Sequence, residues 1–269
     1  MKITKEQMSI SSSLKPPLKW AGGKRWLVPH LRPIWAAHSG RRLVEPFCGG
    51  LAVTLGLMPA CALLNDLNRH LINYYQQIKQ GLLITIPMVN ERDIFYDYRE
   101  QFNQLLKEDN DQSKEAAELF YYLNRTGYNG LCRFNKKGYF NVPFGSYKKI
   151  NYRSDHSIYS EAFSGWSFLS TDFEALPVNK DDLVYADPPY DVQFTQYSSK
   201  IFTWEDQVRL AHWLVKHKGP VVLSNQATER VIDLYRSLGF NLHYFDAPRR
   251  ISCNGNRTPA KELLATRGL

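Results

Sequence analysis

Leu183-Val184-Tyr185-Ala186-Asp187-Pro188-Pro189-Tyr190 decides how this chain is read. Its first four residues form a short apolar run of the kind a buried strand shows. The two prolines lack backbone N–H groups and end that strand. A carboxylate, carbonyls without a helix to join and an aromatic ring then gather at a strand's carboxyl end. Open α/β sheets bind their ligands at such ends. Asp187 and the Pro188 carbonyl can each accept a hydrogen bond from one exocyclic amine. Tyr190 offers a flat face to the heteroaromatic ring that carries the amine. In isolation the same residues are equally a turn with a solvated Asp, so the surrounding chain has to decide.

Strand signals flank this stretch on both sides. Upstream lie Leu43–Phe47, Ala62–Asp66 and Ser167–Thr171. Downstream lies Val221–Ser224, after a helix expected over Trp204–Lys216. A further helix over Val231–Leu238 precedes a closing hairpin of Phe240–Phe245 and Glu262–Thr266, with a basic loop between its strands. A Gly-rich turn and a short helix, Leu51–Leu57, join the first two strands as a βαβ unit. From Leu67 to Leu123 the pattern is helical, with Ile94, Phe95, Tyr98, Phe102, Leu105 and Leu106 on one face. The expected fold class is α/β, a sheet domain over residues 15–70 and 156–269 interrupted by a helical, loop-rich insert over 71–155. Residues 1–14 read as a polar tail.

Composition narrows the function. Hydrophobic residues make up 43% and charged residues 22%, which suits a folded core rather than disorder. The four cysteines are scattered, with no metal-ligand spacing, so a reduced cytoplasmic protein without metal is expected. No signal peptide and no apolar run long enough for a membrane span is seen. A net charge of +8 favours a polyanionic partner. The charge is concentrated where it matters. Residues 124–153 contain no Asp or Glu but carry Arg125, Arg133, Lys136, Lys137, Lys148, Lys149 and Arg153. Tyr128, Phe134, Tyr139, Phe140, Phe144, Tyr147 and Tyr152 are interleaved with them. Basic groups pair with phosphates and aromatic rings stack on bases or wedge between them.

The first βαβ unit carries the marks of a nucleoside site. Phe47-Cys48-Gly49-Gly50 turns sharply after the first strand. Asp66 ends the second strand, where an acid takes the two hydroxyls of a ribose. The turn is not G-x-G-x-x-G and offers little cradle for a pyrophosphate. That points to an adenosine with a small tail, such as S-adenosylmethionine. Asp172, after the third strand, can accept from the adenine amine with Phe173 packed on the ring, or can cap the segment that follows it. Lys19-Trp20-Ala21-Gly22-Gly23-Lys24 is an unusual lead-in for a surface segment.

Trp20–Lys24, Glu45–Gly50, Asn65–Asn68, Asn124–Phe134, Phe140–Gly145 and Asp187–Tyr190, in that order, resemble the Dam-like adenine-specific DNA methyltransferases of the alpha group. The resemblance spans residues 15–265. It implies a Rossmann-like, seven-stranded methyltransferase sheet with its last strand antiparallel and an inserted target recognition domain. It places Trp20, Ala21, Gly22, Lys24, Glu45, Phe47, Gly49, Asp66, Asp172, Phe173 and Asp187 around S-adenosylmethionine, with S-adenosylhomocysteine as product. It makes Asp187, Pro188, Pro189 and Tyr190 the catalytic stretch. It gives Lys19, Tyr128, Asn129, Leu131, Arg133 and Pro143 contacts to bases in GATC of double-stranded DNA. Lys148 is expected on a phosphate. Ser146 departs from the basic residue that many relatives carry there. The expected protein is a monomer in solution, with more than one copy on DNA left open, encoded by a prokaryotic cell or a phage. No cysteine stands beside a proline, which argues against methylation of a cytosine ring carbon. Methylation of RNA adenine or of a protein amide, and an inactive DNA-binding relative, are the alternatives.

Overall fold

The computed structural model describes residues 14–190, 202–247 and 260–269. The N-terminal tail up to residue 13, and the basic loop expected between the hairpin strands, lie outside the described residues. Seven strands form one sheet: β1 (Leu43–Glu45), β2 (Ala62–Asn65), β3 (Trp166–Leu169), β4 (Leu183–Ala186), β5 (Val221–Gln226), β6 (Asn241–Ala247) and β7 (Ala260–Arg267). Their order is β3-β2-β1-β4-β5-β7-β6. The first five run parallel, and β7 pairs antiparallel with both β5 and β6. This is the seven-stranded, Rossmann-like sheet that the resemblance implied, with the final strand slotted antiparallel beside β5. The direction of winding reverses between β1 and β4, so a crevice opens beyond their carboxyl ends.

The central strands are apolar on both faces because helices cover both. Alternate side chains enter two different cores. Leu43, Leu64, Leu183, Tyr185, Val222 and Leu264 enter one. Val44, Leu63, Val184, Ala186, Leu223 and Leu263 enter the other, against α7 (Trp204–Lys216) and α8 (Glu229–Ser237). The first core is continuous with the helices after β2: α3 (Arg69–Lys79), α4 (Arg92–Lys107) and α5 (Lys114–Thr126). Phe102, Phe120, Tyr121 and Phe140 of the insert therefore share one apolar cluster with the sheet. The expected boundary at residue 70 runs through α3. That helix lies on the sheet, with Gln76 and Lys79 donating to the β3 carbonyls of Phe168 and Trp166 at 3.2 and 2.6 Å.

Two helices were not anticipated from sequence. α1 (Val28–His38) contains Pro33, and Pro29 stands in its first turn, where its missing N–H costs nothing. α6 (Ser157–Phe163) has only seven residues and buries Tyr159 and Phe163 beside α3 and β3. The short helix after β1, α2, runs only over Thr54–Leu57.

Candidate active site

A cleft of about 1550 Å³ opens at the carboxyl ends of β1, β2, β3 and β4. Each of the eleven residues expected around the cofactor lines it, and so do Pro188, Pro189 and Tyr190. Asn65, at the end of β2, ties the loops together. Its amide donates to the carbonyls of Pro46 and Thr171 at 2.9 and 3.0 Å and accepts from Thr171 N–H at 3.0 Å. The β1 turn is shaped by glycine. Gly49 has φ +43°, and a Cβ there would stand 2.8 Å from the Trp20 indole nitrogen. A Cβ on Gly50 would stand 2.7 Å from Trp20 Cβ. Trp20 thus packs directly on the backbone of the turn.

Asp66 accepts from the backbone N–H of Gly49 at 3.2 Å and of Asn68 at 2.9 Å. Burial pushes its carboxyl up to about 6, against the pull of those two N–H groups. Glu45 is 2% exposed and accepts from the Thr54 hydroxyl; burial pushes it up to about 8. Phe47 and Phe173 flank the cleft with ring centroids 5.8 Å apart. Of the two roles its sequence offered, Asp172 shows the cap. It lines the cleft, and its side chain caps the 3-10 turn Phe173–Ala175 by accepting from Glu174 N–H at 3.0 Å. Both its oxygens are also gripped by Arg209 at 2.8 and 2.9 Å.

Asp187 sits at the centre of a polar chain. Lys24, 4% exposed, places Nζ 3.1 Å from Asp187 Oδ2 and 4.5 Å from the Tyr190 ring centroid. Ser224 donates to Asp187 Oδ1 at 2.8 Å, and the Tyr185 hydroxyl lies 2.9 Å from Ser224 Oγ. Burial raises the Asp187 carboxyl, and Lys24 and the Ser224 hydroxyl oppose that rise. The Pro188-Pro189 turn is held from beneath. Gln207 donates to the Pro189 carbonyl at 2.8 Å and accepts from Asn225 at 3.0 Å.

The basic aromatic segment forms loops at the mouth of the cleft. Arg133 to Asn141 closes a small hairpin, with Asn141 N–H donating to the Arg133 carbonyl at 3.1 Å. Arg133 lines the cleft, and its guanidinium donates to Asn141 Oδ1 and to the Asn141 carbonyl at 2.8 and 3.0 Å. Tyr128, Asn129, Leu131, Pro143 and Lys148 are exposed. Tyr128 N–H donates to the Pro143 carbonyl at 2.9 Å, so these two stand together. Lys19 belongs to the same loops. Its backbone exchanges hydrogen bonds with the Asn124 amide at 2.9 and 2.8 Å, and its Nζ lies 3.8 Å from the Tyr147 ring centroid. Burial, then the charge of Arg125, lowers its ammonium.

Residues 20–251 match the D12 class N6 adenine-specific DNA methyltransferases. The chain belongs to that family. A DNA adenine methylase of Vibrio cholerae is 37% identical over 92% of this chain and 94% of its own length. A DNA adenine methylase of Escherichia coli K12 is 36% identical over 92% and 93%. A type II methyltransferase of Lactococcus lactis subsp. cremoris is 36% identical over 94% and 95%. The chain is accordingly an adenine-specific DNA methyltransferase with DNA as substrate, and the RNA-adenine and protein-amide alternatives fall.

In this D12 enzyme, sequence reasoning passed over several groups that shape the site. Ser224, Glu262, Gln207 and Arg209 were not singled out. Ser224 and Glu262 had a readable signal. The alternation that sends Val222 and Leu264 to the insert side of the sheet sends Ser224 and Glu262 the same way. A polar residue on the buried face of a strand needs a partner. Ser224 finds Asp187, and Glu262, 8% exposed, lies within electrostatic reach of Lys24 and Tyr190. Gln207 and Arg209 come from α7, and nothing in sequence brings that helix to the cleft. Among the described residues no cluster of His, Cys, Asp and Glu could hold a metal ion. No helix among them is long and apolar enough to cross a membrane.

Proposed function

We propose that this enzyme methylates the exocyclic amine of adenine in GATC of double-stranded DNA, on a base turned out of the helix. The reading of the amine site is carried by one observation: Asp187, held between Lys24 and Ser224, lies beside Tyr190 in a cleft that also contains Asp66. An adenine stacked in a duplex cannot reach such a group and must leave the stack.

The cleft suits S-adenosylmethionine. Asp66 keeps lone pairs for ribose hydroxyls after its two backbone contacts. The Phe47 and Phe173 rings, in contact with each other, give the cleft an aromatic wall on which an adenine can pack. Lys24, Trp20 and the glycine turn face the remaining volume. When bound, that cosubstrate supplies the methyl group from its sulfonium.

The chain's own residues do the rest. The amine of adenine is a poor nucleophile because its lone pair is delocalised into the ring. Asp187 and the Pro188 carbonyl accept hydrogen bonds from its two N–H groups and aim the nitrogen, which gains the methyl group and releases one proton. Tyr190 stacks on the extruded ring. Lys24 and Ser224 keep Asp187 oriented, so the acceptor is preorganised before reaction begins. Transfer is a direct displacement that needs no covalent enzyme intermediate. Tyr128 wedges into the duplex and Asn129 fills the space around the extruded base. Leu131, Arg133, Lys19 and Pro143 read base pairs, Arg133 as a two-pronged donor to guanine. Lys148 contacts a phosphate. The insert over 71–155 acts as the target recognition domain. The enzyme works in the cytoplasm, as a monomer in solution.

Incubation with labelled S-adenosylmethionine and unmethylated duplex DNA, followed by mapping of the modified base, tests this reading. Label should appear on adenine in GATC. Asp187→Ala should slow transfer by roughly 10²–10³-fold while the fold and much of the DNA affinity persist. Turnover of that variant within about twofold of the parent would remove Asp187 from the chemistry. Label spread over all adenines would overturn the sequence preference while leaving adenine methylation intact.

A further inference from the structure

Residues 66–70 connect the two halves of the site. Asp66 faces the cleft, and its Oδ1 accepts from the backbone N–H of Asn68 at 2.9 Å. Asn68 caps α3, its Oδ1 accepting from the backbone N–H groups of His70 and Leu71 at 3.1 and 3.2 Å. The cap occupies only the oxygen of that amide. Its nitrogen donates to Cys132 Sγ at 3.4 Å. Two residues on, the His70 ring lies nearly parallel to the Phe134 ring, centroids 4.8 Å apart at 27°. Phe102 closes on His70 edge-on at 5.4 Å. Asp111 lies on a third side of the imidazole: its Oδ2 is 3.2 Å from His70 Nδ1 and 2.6 Å from Arg69 Nε. Burial lowers the imidazole to about 4, so it is neutral and stacks as an uncharged plate.

Cys132 and Phe134 are the two neighbours of Arg133. The first turn of α3 therefore holds the side chains on both sides of Arg133. The far strand of the hairpin is held separately, by Asn103, which exchanges hydrogen bonds with the Phe140 backbone at 2.8 and 3.2 Å. A bidentate guanidinium contact discriminates between bases only while its fork is aligned with the base edge.

We propose that Asn68 and His70 are specificity-determining positioning residues, which set the stance of Arg133 through Cys132 and Phe134. The proposal rests on the reading of Arg133 as a base reader, and it assigns sequence selectivity to residues that touch no base.

The test uses four proteins: the parent, Asn68→Ser, His70→Ala and His70→Phe. Serine keeps the helix cap and removes only the donor to Cys132. Phenylalanine keeps a flat ring against Phe134. For each, kcat/KM is measured on a GATC duplex and on duplexes with one base pair changed at each position. Affinity for S-adenosylhomocysteine and the melting temperature are measured alongside. Asn68→Ser and His70→Ala should lower discrimination at a single base-pair position by about tenfold, part of what a bidentate Arg–guanine contact supplies. Discrimination at the other positions should stay. His70→Phe should keep discrimination within about threefold, because the stack survives. S-adenosylhomocysteine affinity should hold in Asn68→Ser, since Asp66 is bound there by backbone N–H groups. Equal losses at every position, or none, would overturn the proposal, as would failure of phenylalanine to rescue. A parent enzyme that methylates adenine without any preference for GATC would instead overturn the base-reading role of Arg133, and this inference with it.

Discussion

Asp66 and Asp187 are both carboxylates at strand ends, and both are raised by burial, yet their neighbours give them different work. In Asp187 a cation and a hydroxyl oppose the rise and aim the acceptor. Asp66 has only backbone dipoles to oppose burial, so its carboxyl titrates at about 6. The ionised form is the better acceptor for ribose hydroxyls. As pH falls through about 6 the group takes up a proton, and the ligand must then displace it to regain a charged acceptor. Affinity for S-adenosylhomocysteine should accordingly fall with decreasing pH, approaching roughly tenfold per pH unit below that value. Asp66→Asn should bind more weakly at pH 7.5 and lose most of this slope. Calorimetric titrations of both proteins between pH 5 and 7.5 check it. Parallel pH profiles for parent and variant would assign the titration to another group.

At the scale of elements, the strands were more legible than the helices, for a physical reason. β1, β2, β4 and β5 are buried on both faces and read as short apolar runs bounded by Gly, Pro or Asp. Residues at or just past the ends of β1, β2 and β4 line the cleft, so the motifs around Phe47, Asp66 and Asp187 could be placed at strand ends from sequence. α1 escaped because Pro29 and Pro33 look like breakers. Only its docking, with Val28, Leu31 and Trp35 buried, makes it a helix. The strand-end loops also hide a support that sequence cannot reveal, since it joins three distant elements. Gln207 of α7 bridges the Pro189 carbonyl and Asn225 of β5, and Asn225 reaches the Tyr235 hydroxyl of α8 at 2.9 Å. Gln207→Leu leaves a buried carbonyl and an amide short of partners, at a cost of about 1–3 kcal/mol in stability. It should also loosen the Asp187–Tyr190 turn and lower kcat by roughly 10- to 100-fold, with KM for DNA little changed. Urea melts and steady-state kinetics on one preparation separate the two effects. A stability loss with unchanged kcat would make the bridge a matter of folding alone.

At the scale of the molecule, the distribution of charge and the continuity of the core act together. The insert and the sheet share one apolar cluster, so the exposed Tyr128, Leu131 and Lys148 sit on a platform continuous with the cleft. Sequence showed the basic, aromatic character of residues 124–153. It could not show that Lys19, more than a hundred residues upstream, is seated within the same loops through Asn124 and Tyr147. A surface of this kind mixes contacts that read bases with contacts that only attract the backbone, and salt tells them apart. Lys148 is exposed and placed beside Tyr147, which suits a phosphate contact. Lys148→Ala should weaken binding to every duplex alike and reduce the slope of log affinity against log salt by about one. Arg133→Ala should instead remove about 1–3 kcal/mol of discrimination at one base-pair position. Binding titrations at several salt concentrations, on GATC and its single-base variants, measure both quantities for both proteins. If Arg133→Ala lowers affinity by the same factor on every sequence, Arg133 is a backbone contact and the guanine is read elsewhere. If Lys148→Ala leaves the salt slope unchanged, its ammonium does not neutralise a phosphate, and the loss of a basic residue at Ser146 is not made up at that position.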